Sequence, residues 1–323
     1  MDFLKKLMRQ REFMIFMIVA GMFVFMSFAS PYFLNSTNLL ALLLALSLEA
    51  LIAVAMTNLM ASGGFDMSVG SVVAFTGASV AMLMKLGFPI PVAVLAGFCI
   101  GAAAGLFNGF TVAVIGINPF VTTLASLSLF RGLTMIITQG KNIAPLPASF
   151  NRIGQTKILG IQSPIWITLI FIIIGDIMLR KSRFFRQNYF IGGNEKTARL
   201  SGIPVTKMKI FNYMLTGLFA GFAGVILTSR LGAASVTTGT GLELRVITAV
   251  IIGGASLAGG EGTVLGAFFG SLLMALIVNA LTLLGVDVYW QTFVIGATLL
   301  TAVLIDRFGK IRRDKLALKK AGV

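Results

Sequence analysis

The sequence predicts an all-α bundle of membrane-spanning helices, about ten of them, with both termini in the cytoplasm. Three observations carry that reading. Of the 323 residues, 57% are hydrophobic and only 11% are charged, against about 25% charged in soluble domains. The charges leave uninterrupted uncharged runs at 13–48, 86–130, 158–175, 210–229, 262–286 and 288–305, and about 20 apolar residues suffice to cross some 30 Å of hydrocarbon. The net charge of +15, from 26 Lys and Arg against 11 Asp and Glu, falls between those runs. That placement marks membrane topology and excludes nucleic-acid binding as the primary function.

Taken in order, the candidate spans are 13–30, 39–60, 70–84, 91–115, 119–138, 164–179, 210–229, 246–258, 263–284 and 288–305. The first follows a short basic tail, residues 1–12, which gives it the look of a secretory signal. Its apolar run from Phe13 to Ala29 exceeds the 7–15 residues of a cleaved signal core, so it is expected to stay as a span. Pro31, Pro89, Pro91, Pro119 and Pro164 fall at or near span ends, where the missing N–H costs nothing. The stretch 140–163, with Pro145 and Pro147, is expected to be an external loop. The organisation is therefore one transmembrane domain over 13–305, a large loop at 180–209, and a basic tail at 306–323.

Basic residues set the orientation. Most of the 26 lie before Phe13, in the loop 180–209 or after Ile305, and the positive-inside rule places all three segments in the cytoplasm. Ten spans satisfy this, six before the loop and four after it. Eight spans, from fusing or re-entering two weak segments, satisfy it too.

Some chemistry is excluded by absence from the sequence. The chain has no histidine and one cysteine, Cys99, within an apolar run. Intrachain disulfides, His-based triads and the usual Cys/His zinc sites are ruled out, and Cys99 fits a small core or lipid-facing residue. No G-x-x-x-x-G-K-[ST] stretch occurs, so the chain has no P-loop for ATP.

Four segments stand out. Ser62–Ser71 (SGGFDMSVGS) sets a glycine pair, Asp66 and three serines between apolar runs. It fits either a turn with Asp66 capping the next helix or non-helical backbone lining a transport path. The second runs from Asn108 through Asn118-Pro119 and Thr122-Thr123 to Arg131. Asn118-Pro119 is a helix-start signal, and Arg131 is an intramembrane charge, as is Glu49. From the sequence Glu49 fits a partner in Arg131, a partner in Arg245, or a protonated state. The third, Gly192-Gly193-Asn194-Glu195 to Gly202, predicts a short amphipathic helix capped by Asn194 and stopped at Gly202. It suits insertion into a partner's groove, or a surface cap over the bundle. In the fourth, Gly239–Arg245 and Gly253–Gly262 bracket an apolar helix of about 13 residues, too short to span untilted. The glycines at 63, 64 and 70 recur at 253, 254 and 260, which hints at two related halves.

Together these segments resemble the ribose/galactose/arabinose/xylose-type permeases of bacterial ABC sugar importers. The resemblance is carried by SGGFDMSVGSV, GLFNGFTVAVIGINPFVTTLASLSLFRGLTMIITQG, YFIGGNEKTARLSGIPVTKMKI and GTGLELRVITAVIIGGASLAGGEGTVLGAFFGSLL. It implies a permease subunit with no enzymatic centre in the bacterial cytoplasmic (inner) membrane. It implies as partners a separate ABC ATPase subunit, an extracytoplasmic sugar-binding protein and a second permease copy or paralogue, besides membrane lipids. No cofactor is implied in this chain, ATP being bound by the partner ATPase. Gly193, Asn194, Glu195, Ala198, Arg199, Leu200 and Gly202 match the family's coupling segment toward that ATPase. Asp66, Ser68 and Ser71 match its glycine–acid–serine segment beside the translocation path. Asn118, Thr122, Thr123 and Asn279 are further polar candidates for that path. Arg245 and Glu261 depart from the family's commonest pattern, and the sugar stays open among pentoses, hexoses and furanose-like molecules. The alternative from another class is an ion- or proton-coupled carrier using Glu49, Asp66, Asp176 and Arg131. The lack of histidine and the basic loop helix argue against it.

Overall fold

The computed structural model describes residues 11–320, so most of the expected N-terminal tail and the last three residues lie outside the described residues. The chain folds as α1 (Arg11–Ala29), α2 (Ser36–Ala61), α3 (Val69–Lys85), α4 (Ile90–Phe110) and α5 (Pro119–Thr138). After α6 (Ala148–Gln155) and the hairpin β1 (Lys157–Ile158) and β2 (Ile161–Gln162), α7 (Ser163–Lys181) leads to α8 (Arg183–Gly193) and α9 (Glu195–Leu200). Then follow α10 (Val205–Leu231), α11 (Leu242–Ile252), α12 (Val264–Leu283) and α13 (Val288–Lys320).

Among the described residues eight helices are long and apolar enough to cross a membrane: α1, α2, α4, α5, α7, α10, α12 and α13. The remaining two expected spans are the short helices α3 and α11, of 17 and 11 residues. At 1.5 Å per residue α11 reaches only about 16 Å, half the hydrocarbon thickness. It also ends at Ile252, six residues before the expected boundary, because Gly253 and Gly254 already belong to the following turn. The expected external loop is not featureless: α6 tucks Phe150 and Gly154 inward and the β1–β2 hairpin follows it. Elsewhere, α4 ends in a π-turn over Thr111–Ile115 before Gly116.

Helix α2 is the central post. From Glu49 to Ala61 every residue is buried, as expected of a helix that is apolar all round. Helix α10 lies against α4 through small residues. A Cβ on Gly101 or Gly217 would meet the other helix's backbone, the close approach that membrane bundles use where lipid supplies no hydrophobic drive between helices. The ends of α2 and α11 and the starts of α8 and α10 all lie toward the basic loop, taken as the cytoplasmic face by its charge.

The glycine echo survives in connection but not in conformation. Each turn follows a descending helix, α2 or α11, and precedes another, α3 or α12. Yet φ is positive at Gly63 in one turn, and at Gly254 and Gly260 in the other, so the glycines do not match one for one.

Candidate functional site

Helix α9 is a single short element held out on the face of the basic loop. Asn194 has extended backbone, and its side chain accepts from the Thr197 N–H at 3.0 Å, the N-cap that the sequence predicts. Ala198 is buried against Ile191, Val205 and Met208, which fastens the helix to α8 and α10. Glu195 is clamped from two sides: Arg199 Nη2 donates to Oε1 at 2.7 Å and Lys209 Nζ to Oε2 at 2.5 Å. Partial burial pushes the Glu195 carboxyl up, but these two partners outweigh it and hold the carboxyl below its ordinary range. Leu200, placed in the segment toward the ATPase, is 82% exposed. Its inward counterpart is Ile203, packed on the same small cluster. Beside the helix a groove of about 440 Å³ is lined by Phe190, Gly193, Asn194 and Ser201 among others.

A second polar cluster lies inside the bundle, where α3, α4 and α5 meet. Asp66 Oδ1 accepts from the N–H and the hydroxyl of Ser68 at 2.7 and 2.6 Å, and Oδ2 accepts from Asn108 Nδ2 at 3.1 Å. Asn108 Oδ1 in turn accepts from Ser126 Oγ at 2.5 Å. All four side chains are buried, and each bond exists because water cannot satisfy these groups there. The expected cap is thus corrected. Ser68 is the N-cap of α3 without a side-chain cap bond, and Asp66 closes an Asx-type turn on it.

The other path candidates separate. Ser71 Oγ donates back to the Ser68 carbonyl at 2.8 Å. Thr122 is buried one helical turn before Ser126, its hydroxyl without a partner. Thr123 donates to the Pro119 carbonyl, and Asn118 is an exposed N-cap of α5. Asn279 is elsewhere: it pairs with Asn38 near the opposite end of α2, Nδ2 to Oδ1 at 2.7 Å.

The intramembrane charges also find partners. Arg245 Nε donates to Glu49 Oε1 at 2.5 Å, so of the three states open to Glu49 the structure takes the pair with Arg245. Arg131 Nη1 donates to the carbonyls of Val236 and Thr238 at 2.7 and 2.8 Å. That bond pins the segment before α11 against α5. No group of three or more His, Cys, Asp or Glu that could hold a metal ion occurs among the described residues.

Comparison with known proteins places this arrangement. Residues 38–303 match the family described as branched-chain amino acid transport system / permease component. The chain belongs to that family. The ribose import permease protein RbsC of Escherichia coli K12 is 39% identical over 307 residues, 93% of this chain and 94% of that protein. The RbsC of Bacillus subtilis is 41% identical over 287 residues, 88% of this chain and 89% of the relative. The L-arabinose transport system permease protein AraH of E. coli K12 is 38% identical over 291 residues, covering 90% and 89%. The chain is thus a multi-pass membrane permease whose relatives are sugar-transport permease components.

Sequence reasoning missed three residues that the permease fold uses. Ser126, Asn188 and Asn212 are buried polar side chains bonded across helices. Ser126 and Asn212 lie in expected spans, where the one available signal was that an uncompensated polar group must find a partner, while Asn188 follows Arg186 and Gln187 in the basic loop and carried no such signal. Which partner depends on packing.

Proposed function

We propose that this chain is the translocation subunit of an ABC importer that carries a sugar or sugar-like molecule into the cytoplasm. A separate ATPase subunit drives it, and an extracytoplasmic binding protein feeds it. A second copy or a paralogue completes the pathway across the bacterial inner membrane. The observation that carries the reading is the similarity to ribose and arabinose permeases over nearly the whole chain. Helix α9 supports it, since Leu200 stands exposed on a braced helix with a groove beside it, the arrangement in which an amphipathic helix meets a partner.

In this reading Gly193, Asn194, Glu195, Ala198, Arg199, Leu200 and Gly202 build the element that docks on the ATPase. Leu200 supplies apolar contact, and the Glu195 clamp keeps the helix in one orientation. Asp66, Ser68, Ser71, Thr122 and Thr123 belong to the wall of the path, with Asn118 and Asn279 toward its two ends. Most of these groups are engaged inside the bundle here, the buried Thr122 hydroxyl being without a partner, so a route along them opens only as the helices move. Specificity then resides largely in the binding protein.

The test is uptake of radiolabelled ribose and of L-arabinose into proteoliposomes holding the permease, its ATPase and its binding protein. Uptake that needs ATP and all three components is expected. Uptake that persists without the ATPase, or that a protonophore abolishes while ATP stays high, overturns the reading.

A further inference from the structure

Helix α8 touches both glycine turns through one face, and does so directly beside α9. Asn188 and Asn212 of α10 exchange side-chain hydrogen bonds at 2.9 and 3.4 Å. Asn212 Nδ2 also donates to Ser62 Oγ at 3.1 Å, in the turn that ends α2. Tyr189 donates its hydroxyl to the Gly262 carbonyl at 2.7 Å, in the turn that follows α11. One turn of helix further on, Gly192 lies in the seam between the two turns. A Cβ there would collide with the Ala61 carbonyl oxygen and the Gly260 nitrogen. Those same atoms join the turns by a hydrogen bond, Gly260 N–H to Ala61 O at 3.0 Å. Backbone stands against backbone at this point, so no side chain can flex to absorb a displacement.

The turns are built from glycines that only glycine tolerates. Gly63, Gly259 and Gly260 have φ of +82°, +83° and +82°, and a Cβ on Gly259 would meet the backbone of Gly192 and Gly63. Between Gly192 and the docking helix stand only Gly193 and Asn194, too few residues to take up slack.

We propose that Asn188, Tyr189 and Gly192 act as a wedge that carries a displacement of α9 to both glycine turns at once, so that α2 and α11 move as a coupled pair. They are positioning residues that touch no substrate. The proposal rests on the reading of α9 as the docking element. The two arms are separable, because Asn188 leads to the α2 turn, Tyr189 to the α11 turn, and Gly192 to both. A residue that merely stabilised the fold would show no such division.

The test uses the complete importer, permease with its ATPase, in nanodiscs and in a Cys99→Ser background. Single reporters are placed at exposed positions ahead of α2 (Tyr32→Cys) and ahead of α11 (Thr237→Cys). The labelling rate of each by a maleimide is compared with and without ATP and vanadate. In the parent the rate is expected to change at both positions. Tyr189→Phe should abolish the change at position 237 and keep it at 32. Asn188→Ala should do the reverse, and Gly192→Ala should abolish both. In each case the ATPase should co-purify in parental amount.

Should Gly192→Ala fail to accumulate, the two conservative arms decide alone. A nucleotide response unchanged by Tyr189→Phe and Asn188→Ala, or absent in the parent, overturns the proposal. So does loss of the ATPase from either variant, which would assign α8 to docking. Failure of the docking reading itself shows elsewhere, as an ATPase that stays fully bound to Leu200→Asp.

Discussion

Glu49 of α2 and Arg245 of α11 lie 196 positions apart in sequence, yet their side chains meet at 2.5 Å inside the bundle. The second carboxylate oxygen of Glu49 is buried without a partner, so among the described residues Arg245 is its one ion-pair partner. Removing Arg245 leaves the Glu49 charge buried and unpaired, at a cost of about 3–5 kcal/mol, whereas Arg245 is partly exposed and loses less when Glu49 is removed. Arg245→Met should lower the thermal unfolding midpoint of the detergent-solubilised permease markedly, and Glu49→Met by less. The double variant should recover most of the loss. Single variants as stable as the parent would show that the pair is not a structural tie.

The Asp66–Asn108 contact has a defined polarity, acceptor to donor. Asp66→Asn turns an amide donor toward the Asn108 donor and leaves buried groups unpaired, which costs about 1–3 kcal/mol. Exchanging the two residues, Asp66→Asn with Asn108→Asp, restores complementarity and keeps an acceptor for Ser126. Thermal melts should place the exchange variant above Asp66→Asn alone. An exchange no better than the single change would mean that the network is not what sets stability there.

Arg131 holds the carbonyls of Val236 and Thr238 with one nitrogen. Arg131→Met removes both bonds and should loosen the segment leading into α11. Amide hydrogen exchange over 233–241 should rise clearly above the parent, while exchange in α2 stays as before. Unchanged protection in that segment would put its anchorage elsewhere.

Glu195 titrates below its ordinary range because Lys209 and Arg199 favour its ionised form over the opposing effect of burial. A depressed folded pKa means that the stabilisation is fully present above the unfolded value and is lost as pH falls through the folded one. The clamp is therefore intact at neutral pH and fails only in acid. Lys209→Gln should move the Glu195 titration upward, read by NMR on selectively labelled glutamate. A midpoint that does not move would show that Lys209 contributes nothing to the clamp.

Much of the fold was legible because the membrane imposes length and polarity rules that composition alone reveals. The expected spans beginning at Phe13, Pro91, Thr263 and Val288, and the prolines at positions 89, 119 and 164, mark helices that the structure builds within a few residues. Asn194 and Gly202 likewise announce the ends of α9, since capping is local chemistry. The external segment was less legible. Helix α6 spans only eight residues, and its inward face, Phe150 and Gly154, is defined by what it packs on.

Sequence by itself determined that this is a helical membrane protein, which face carries the basic loop, and where backbone must leave the helix. Those properties follow from hydropathy, charge and the missing Cβ of glycine. Tertiary structure decided which distant groups satisfy one another. It chose Arg245 for Glu49, Asn108 for Asp66, Ser126 for Asn108, Asn38 for Asn279, and the seam between two glycine turns for Gly192. A buried polar group in a low-dielectric interior must be paired, but the need fixes only that a partner exists. The packing of α2, α8, α10 and α11 fixes which one.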